Sequence, residues 1–427
     1  MRRRPAVFLG KKGRRRERCV RTCSLDIQQF EIKMKICLVH NAYGKFSGEE
    51  AVVEGTCRLL VEHGHELLLF TRSSAEIPKM RFGKIRAFLS GIYSLSSKKA
   101  MRRLLAECKP DIVHIHNVFH LISPSVLGEC RKAGVPVVMT VHNYRLVCPN
   151  GLHMVAGRVC EKCRGGKEYW CVLQNCEGSL FKSLGYALHT YTARKFRLFA
   201  DNVTMFVPLT EFHRNRLISD GIPPERIIVI PNMVSVEHEA KSHPLGEYVA
   251  FVGRVSAEKG VRTLITAVQK CPDIPFRIAG NYERMPHVLK KAPGNCTFVG
   301  HLTGTELEEF YNSSRIIVMP SIWFETFGLC LVEAMVRQKP TVSSRIGALA
   351  EVVDEGITGL AFEPGNAEEL ADKICYLWDR PDLCREIGQA GREKALREYS
   401  PDKYYKRLMA VYEKAIELGP GGLNHNS

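Results

Sequence analysis

The chain has 427 residues, 45% of them hydrophobic and 25% charged, the proportions of a globular protein too long for one ordinary core, so two domains are expected. No run of about 18 apolar residues exists to form a membrane-spanning helix. The formal charge of +16 is concentrated at one end: residues 1–33 hold eleven Lys or Arg against Glu17, Asp26 and Glu31, which is +8, half of the total.

That basic stretch shows no hydrophobic periodicity, and its Pro5–Gly10 run is too short for a signal-peptide core. It is expected to be a disordered extension ahead of a natural start at Met34, with a nucleic-acid-binding arm as the competing reading. No nucleic-acid partner is expected. Sixteen cysteines without a secretory signal point to thiols in a reducing compartment rather than to disulfides.

Lys35–His40 reads as a buried strand, followed by a loop containing Gly44 and Gly48 and then a helix to about His63, the opening of a Rossmann-like half. Gly64–Phe70 supplies the next strand. No Gly-x-Gly-x-x-Gly or Walker motif occurs, which disfavours simple dinucleotide or ATP binding. Residues 79–103 carry eight basic residues and no acid. With Phe82, Ile85, Phe88, Leu89, Ile92 and Tyr93 interleaved, the first half predicts a basic amphipathic helix, fitted either to an anionic membrane surface or to an ordinary solvated face.

Asp111–His116 and Val135–His142 are two further strands, each ending on a histidine at its carboxyl edge. A lone strand-end histidine is usually structural, but two at one sheet edge form a candidate site. A cysteine-rich insertion follows at about 148–176. Cys160 and Cys163, two residues apart on a turn, with Cys148 before and Cys176 after, have the spacing of a tetrahedral zinc site, Cys171 being an alternative fourth ligand. Free thiols in a loop are the competing reading. Val203–Thr210 and Ile227–Asn232 close the first domain.

Val249–Val255 restarts the strand-loop-helix pattern. Gly253, Arg254, Lys259 and Gly260 then set two cations beside a helix N-terminus, a cradle for phosphate. Arg315–Pro320 is another buried strand, and after it come Glu325, Phe327-Gly328 and a helix holding Glu333 among apolar neighbours. Buried there, Glu333 needs either an internal cation or a ligand. Ala367–Ala395 reads as two solvated helices and Pro401–Leu418 as an amphipathic one with Tyr404, Leu408, Val411, Tyr412 and Ile416 along its apolar stripe. Gln338 occupies a helix-ending position suited to glycine.

Glu325-x7-Glu333 around Phe-Gly-Leu resembles the signature of the retaining glycosyltransferases of family 4, the glycosyl transferases group 1 of the GT-B superfamily. The resemblance spans about Lys35 to Leu418. It implies an α/β fold of two Rossmann-like domains facing across a cleft, with a C-terminal helix crossing back to the first. The implied division is 34–235 for the acceptor domain, 236–400 for the donor domain, 401–418 for the crossover helix and 419–427 for a disordered tail. Glu325 and the amides of Thr326, Phe327 and Gly328 would take the donor sugar, Glu333 the ribose, and Arg254 and Lys259 the diphosphate. Gly48 would face that diphosphate and His142 the reacting sugar. Asn143 stands where the family usually has aspartate.

The implied activity is hexosyl transfer from a nucleoside-diphosphate sugar to a saccharide or lipid-linked acceptor, in cell-surface polysaccharide synthesis. The expected location is the cytoplasm, at the inner face of its membrane. With no Asp-x-Asp pair, no catalytic divalent metal is expected. An epimerase or phosphorylase on the same fold, or a non-catalytic scaffold, is the alternative.

Overall fold

The computed structural model describes residues 34–44, 47–235, 245–283, 285, 288 and 290–422. The basic extension at 1–33, most of the expected linker between the domains and the last five residues lie outside this set. In chain order the first half contains β1 (Lys35–Ala42), α1 (Gly48–Glu62), β2 (Glu66–Ser73), α2 (Gly83–Ile92), α3 (Leu95–Cys108), β3 (Ile112–Asn117), α4 (Leu127–Lys132) and β4 (Val137–Val141). It continues with a two-stranded ribbon, β5 (Met154–Val155) and β6 (Arg158–Val159), then α5 (Tyr169–Leu173), α6 (Leu180–Lys195), β7 (Met205–Pro208) and α7 (Glu211–Ser219). The second half runs β8 (Tyr248–Val252), α8 (Val261–Lys270), β9 (Phe276–Ala279), β10 (Cys296–Gly300), α9 (Gly304–Asn312), β11 (Ser314–Met319) and α10 (Leu329–Val336). It closes with β12 (Thr341–Ser344), α11 (Leu349–Val352), β13 (Gly359–Phe362), α12 (Ala367–Trp378), α13 (Pro381–Tyr399) and α14 (Pro401–Leu418).

Two parallel sheets result, because strands buried on both faces need helical crossovers to return in the same direction. The first has the order β2-β1-β3-β4-β7 and the second β10-β9-β8-β11-β12-β13. Each order reverses once, between β1 and β3 and between β8 and β11. At such switch points the loops leaving neighbouring strands diverge and open a crevice at the carboxyl edge. The residues leaving those four strands are the ones the sequence singled out. Ile227–Asn232, the stretch expected to close the first domain, runs beside β7, Ile228 and Ile230 donating to Phe206 and Pro208 at 3.0 Å.

The last helix joins the halves. Tyr404, Leu408, Val411 and Tyr412 of α14 pack against Ile36, Leu38, Val138 and Val207 of the first sheet, although the chain has just left the second. Ile416, expected in the apolar stripe, is 42% exposed.

Candidate functional site

The loop after β11 meets the loop after β8 because a glycine lets it. Gly260, the residue before α8, has φ +69°, and a Cβ there would fall inside the Pro320 carbonyl. Lys259 is thereby held against the Ser321–Glu325 loop, with Nζ 2.7 Å from Glu325 Oε1. Ser321 Oγ at 2.6 Å and Trp323 Nε1 at 2.8 Å donate to the same oxygen. Glu325 is only 5% exposed, and three donors including an ammonium offset the cost of burying its charge.

Arg254 is exposed and pairs with Glu258 at 3.3 Å, so its guanidinium lies at the rim while Lys259 lies inside. Phe327 is buried against Tyr399, the rings edge to face at 5.4 Å. What it offers a ligand is therefore backbone. Gly328 precedes α10 in a left-handed conformation, and the first N–H groups of that helix have no intrahelical acceptor. Glu333 accepts from the Tyr311 hydroxyl at 2.7 Å, and burial holds its carboxyl above the usual range, partly offset by that bond and by Arg337. Arg337 binds the Glu333 main-chain carbonyl and the Glu308 carboxylate. The partner of the Glu333 carboxylate is thus a tyrosine, not the internal cation considered from sequence.

Opposite these groups stands the edge of the first sheet. His116 Nδ1 and His142 Nε2 are 2.8 Å apart, one ring donating and the other accepting. Burial keeps both largely neutral, His142 being pushed down to about 3 and His116 well below its ordinary value. Asn143 Oδ1 accepts from Arg145 N at 3.0 Å, and its amide donates to the Tyr43 hydroxyl at 3.2 Å. It orders two loops and, unlike an aspartate, brings no charge of its own to His142. Gly48 begins α1, and a Cβ on it would sit 3.7 Å from Leu329 Cδ2. The two switch points therefore face each other, and Tyr144 Oη closes the gap by donating to the Glu325 carbonyl at 3.0 Å.

Several groups here were not singled out from sequence. His40, a third strand-end histidine, lies 3.8 Å from both Glu49 and Glu50. Glu49 is pushed up to about 8, by burial first and then by the charge of Glu50. Burial alone would raise Glu50 too, but hydrogen bonds from His40, Ser47 and the Tyr43 backbone bring it to about 2. The signal was legible as two acids directly after Gly48, in the first turn of the helix that follows β1.

The cysteines are close together without forming the expected metal centre. Cys163 and Cys171 are buried in one small cluster with Cys176 at its margin, and Cys163 is raised to about 12 by burial and by Cys148, Cys176 and Cys160. Yet among the described residues no group of three or more His, Cys, Asp or Glu is arranged to hold a metal ion. The thiols turn to other partners: Cys148 Sγ donates to Asn150 Oδ1 at 3.0 Å and Cys160 Sγ to Gln174 Oε1 at 3.3 Å. Cys171 hydrogen-bonds Cys176. The set Cys148, Cys160, Cys163 and Cys176 does not fit tetrahedral zinc as arranged.

Comparisons with known proteins agree with this geometry. The model of glycosyltransferase family 4 matches residues 46–238, and that of glycosyl transferases group 1 matches residues 237–394. Sulfoquinovosyl transferase of Arabidopsis thaliana is 27% identical over 365 residues, 82% of this chain and 67% of that protein. Glycogen synthase of Mycobacterium tuberculosis is 31% identical over 305 residues, 68% of this chain and 66% of that protein. The chain thus spans about two thirds of the length of these curated relatives. A solved Anabaena protein, HepE in complex with UDP and glucose, superposes with a TM-score of 0.61 at 16% identity, over 89% of this chain and 99% of that one. That likeness shows the fold, two Rossmann-like domains across a cleft. With the two models together running from residue 46 to 394, the chain belongs to the glycosyl transferases group 1 family.

Proposed function

We propose that this protein is a retaining hexosyltransferase that moves a sugar from a nucleoside-diphosphate donor to a hydroxyl of a saccharide or lipid-linked acceptor, in polysaccharide synthesis. The observation that carries this reading is the Glu325 carboxylate, fixed by Lys259, Ser321 and Trp323 just before α10, in a loop whose Glu325 carbonyl is joined to the first domain by Tyr144. A departing diphosphate gathers negative charge as the glycosidic bond breaks. Lys259, Arg254 at the rim and the free N–H groups of α10 supply preorganised positive charge for it, so the ion pair of Lys259 with Glu325 is the resting arrangement of groups that a donor would divide. Glu325 then takes sugar hydroxyls and Glu333, near Tyr311, the ribose. His142, kept neutral by burial, can accept or donate a hydrogen bond to the reacting sugar without carrying charge.

A location at the inner face of a cytoplasmic membrane, with residues 79–103 toward anionic lipid, belongs to the same reading. Calorimetric titration with UDP and with uridine tests the diphosphate assignment. Lys259→Ala and Arg254→Ala should each weaken UDP by at least about tenfold while changing uridine by less than about twofold. Equal losses for the two ligands would return both cations to a structural role.

A further inference from the structure

Helices α2 and α6 are packed inside out. On α2 the buried positions are Gly83, Ala87 and Gly91, one turn apart, whereas Phe82 before it is 67% exposed, and Ile85 and Leu89 are 54% and 57% exposed. On α6 the buried positions include Ser183, Gly185, Ala187 and Ala193, and Leu180, Phe181 and Leu184 face outward. A surface helix of a water-facing domain does the reverse, burying its large apolar residues and exposing its small or polar ones. The inversion is built in. Gly91 lies against the His189 ring and Gly185 against Phe88, where a Cβ would overlap in either case, and His189 Nε2 is 2.9 Å from the Phe88 carbonyl. Phe88 also stacks on Phe181 at 5.6 Å. The two helices are one platform with its apolar side chains turned to the outside.

The charge around that platform has one sign. Residues 77–106 and 178–200, which include both helices, contain no Asp or Glu, and Arg81, Arg86 and Lys182 are exposed beside the apolar side chains. We infer that the α2–α6 face is a docking surface for an anionic membrane, the apolar side chains entering the headgroup region and the cations meeting lipid phosphates. This deepens the membrane contact proposed for residues 79–103 by adding α6, which that stretch does not contain. The opposite side of α6 reaches toward the cleft: Tyr186 lies 3.1 Å from His120 Nε2 and beneath Arg145 at 4.4 Å. A lipid-linked acceptor held in the membrane would therefore reach the cleft past the same helix that docks there.

The full chain sedimented with phosphatidylglycerol–phosphatidylcholine vesicles, and with phosphatidylcholine vesicles alone, tests the surface. Each basic group near an anionic bilayer is worth on the order of fivefold in binding, so binding to the mixed vesicles should exceed that to neutral ones by at least about tenfold and fall with added salt. Leu89→Asp with Leu180→Asp, and separately Arg81→Glu with Arg86→Glu, should each reduce it at least about tenfold, with unchanged melting temperature and UDP affinity. Equal binding to neutral vesicles would overturn the proposal, as would no binding. A dimer in solution that Leu89→Asp dissociates would reassign the face to a second copy of the chain. Vesicle binding requires no turnover, so failure here leaves the transfer reading of the cleft standing, and failure of that reading leaves this one.

Discussion

At the residue scale, Glu325 and Glu49 are both buried acids of the cleft, but their charges are met differently. Glu325 is satisfied by three donors on one oxygen, whereas Glu49 is buried beside Glu50 and pushed up to about 8. Between the ordinary carboxylate value of 4.5 and about 8, the folded chain keeps a proton on Glu49 that the unfolded chain has released. Stability therefore falls as pH rises through that window and is unaffected by this group below it. Glu49→Gln is predicted to leave stability unchanged near pH 4 and to raise it by at least ~1 kcal/mol near pH 8, read from urea denaturation at the two pH values. A constant difference across pH would show that Glu49 folds with its charge compensated. The positions of Glu325 and Glu333 were legible from their spacing, because both lie on one strand-loop-helix unit. Lys259 as the direct partner of Glu325 was not, since the two are 66 residues apart and are brought together by Gly260 packing on Pro320 and Ile322 N donating to the Glu258 carbonyl at 3.0 Å.

At the element scale, two residues share the left-handed conformation for different reasons. Gly260 is there because a backbone carbonyl occupies the space of any side chain. Gly260→Ala should destabilise the second domain by at least ~2 kcal/mol in denaturant titration and weaken UDP binding along with it, since Lys259 moves with the loop. Gln338, at φ +56° after α10, carries the penalty foreseen from its helix-ending position. Gln338→Gly should gain up to about 1 kcal/mol in the same titration, with UDP affinity unchanged. The amphipathic character of α2 was equally legible, but not which of its faces would be buried. Hydropathy locates an apolar side; only the small-residue face of α6 shows that the other side is the one packed. The cysteine spacing foretold proximity in the same limited way, since Cys-x2-Cys places two thiols on a turn without aiming them at one point.

At the scale of the whole molecule, both sheets place their switch points at one cleft, and α14 ties the second domain to the first. The fold was legible because each strand-loop-helix unit repeats one pattern and strands such as β1, β4, β8 and β11 read as largely apolar runs. The crossover of the last helix was foreseen too, but the polar bonds across the domains were not, such as Tyr144 to Glu325 and, from α14, Tyr412 to His114 at 2.6 Å. Tyr412 is fully buried. Tyr412→Phe leaves a buried histidine nitrogen without its partner and should cost about 1–3 kcal/mol in global stability, a loss visible in thermal melting.

Transfer with retention at a cleft organised around Glu325 is most directly tested by turnover. The protein would be incubated with a panel of nucleoside-diphosphate sugars and saccharide acceptors, and the product's anomeric configuration read by proton NMR. A product with the donor's anomeric configuration is expected, formed at least about tenfold more slowly by Glu325→Gln, the equivalent of ~1.4 kcal/mol of lost transition-state stabilisation. An inverted product, or full turnover by a folded Glu325→Gln protein, would contradict it.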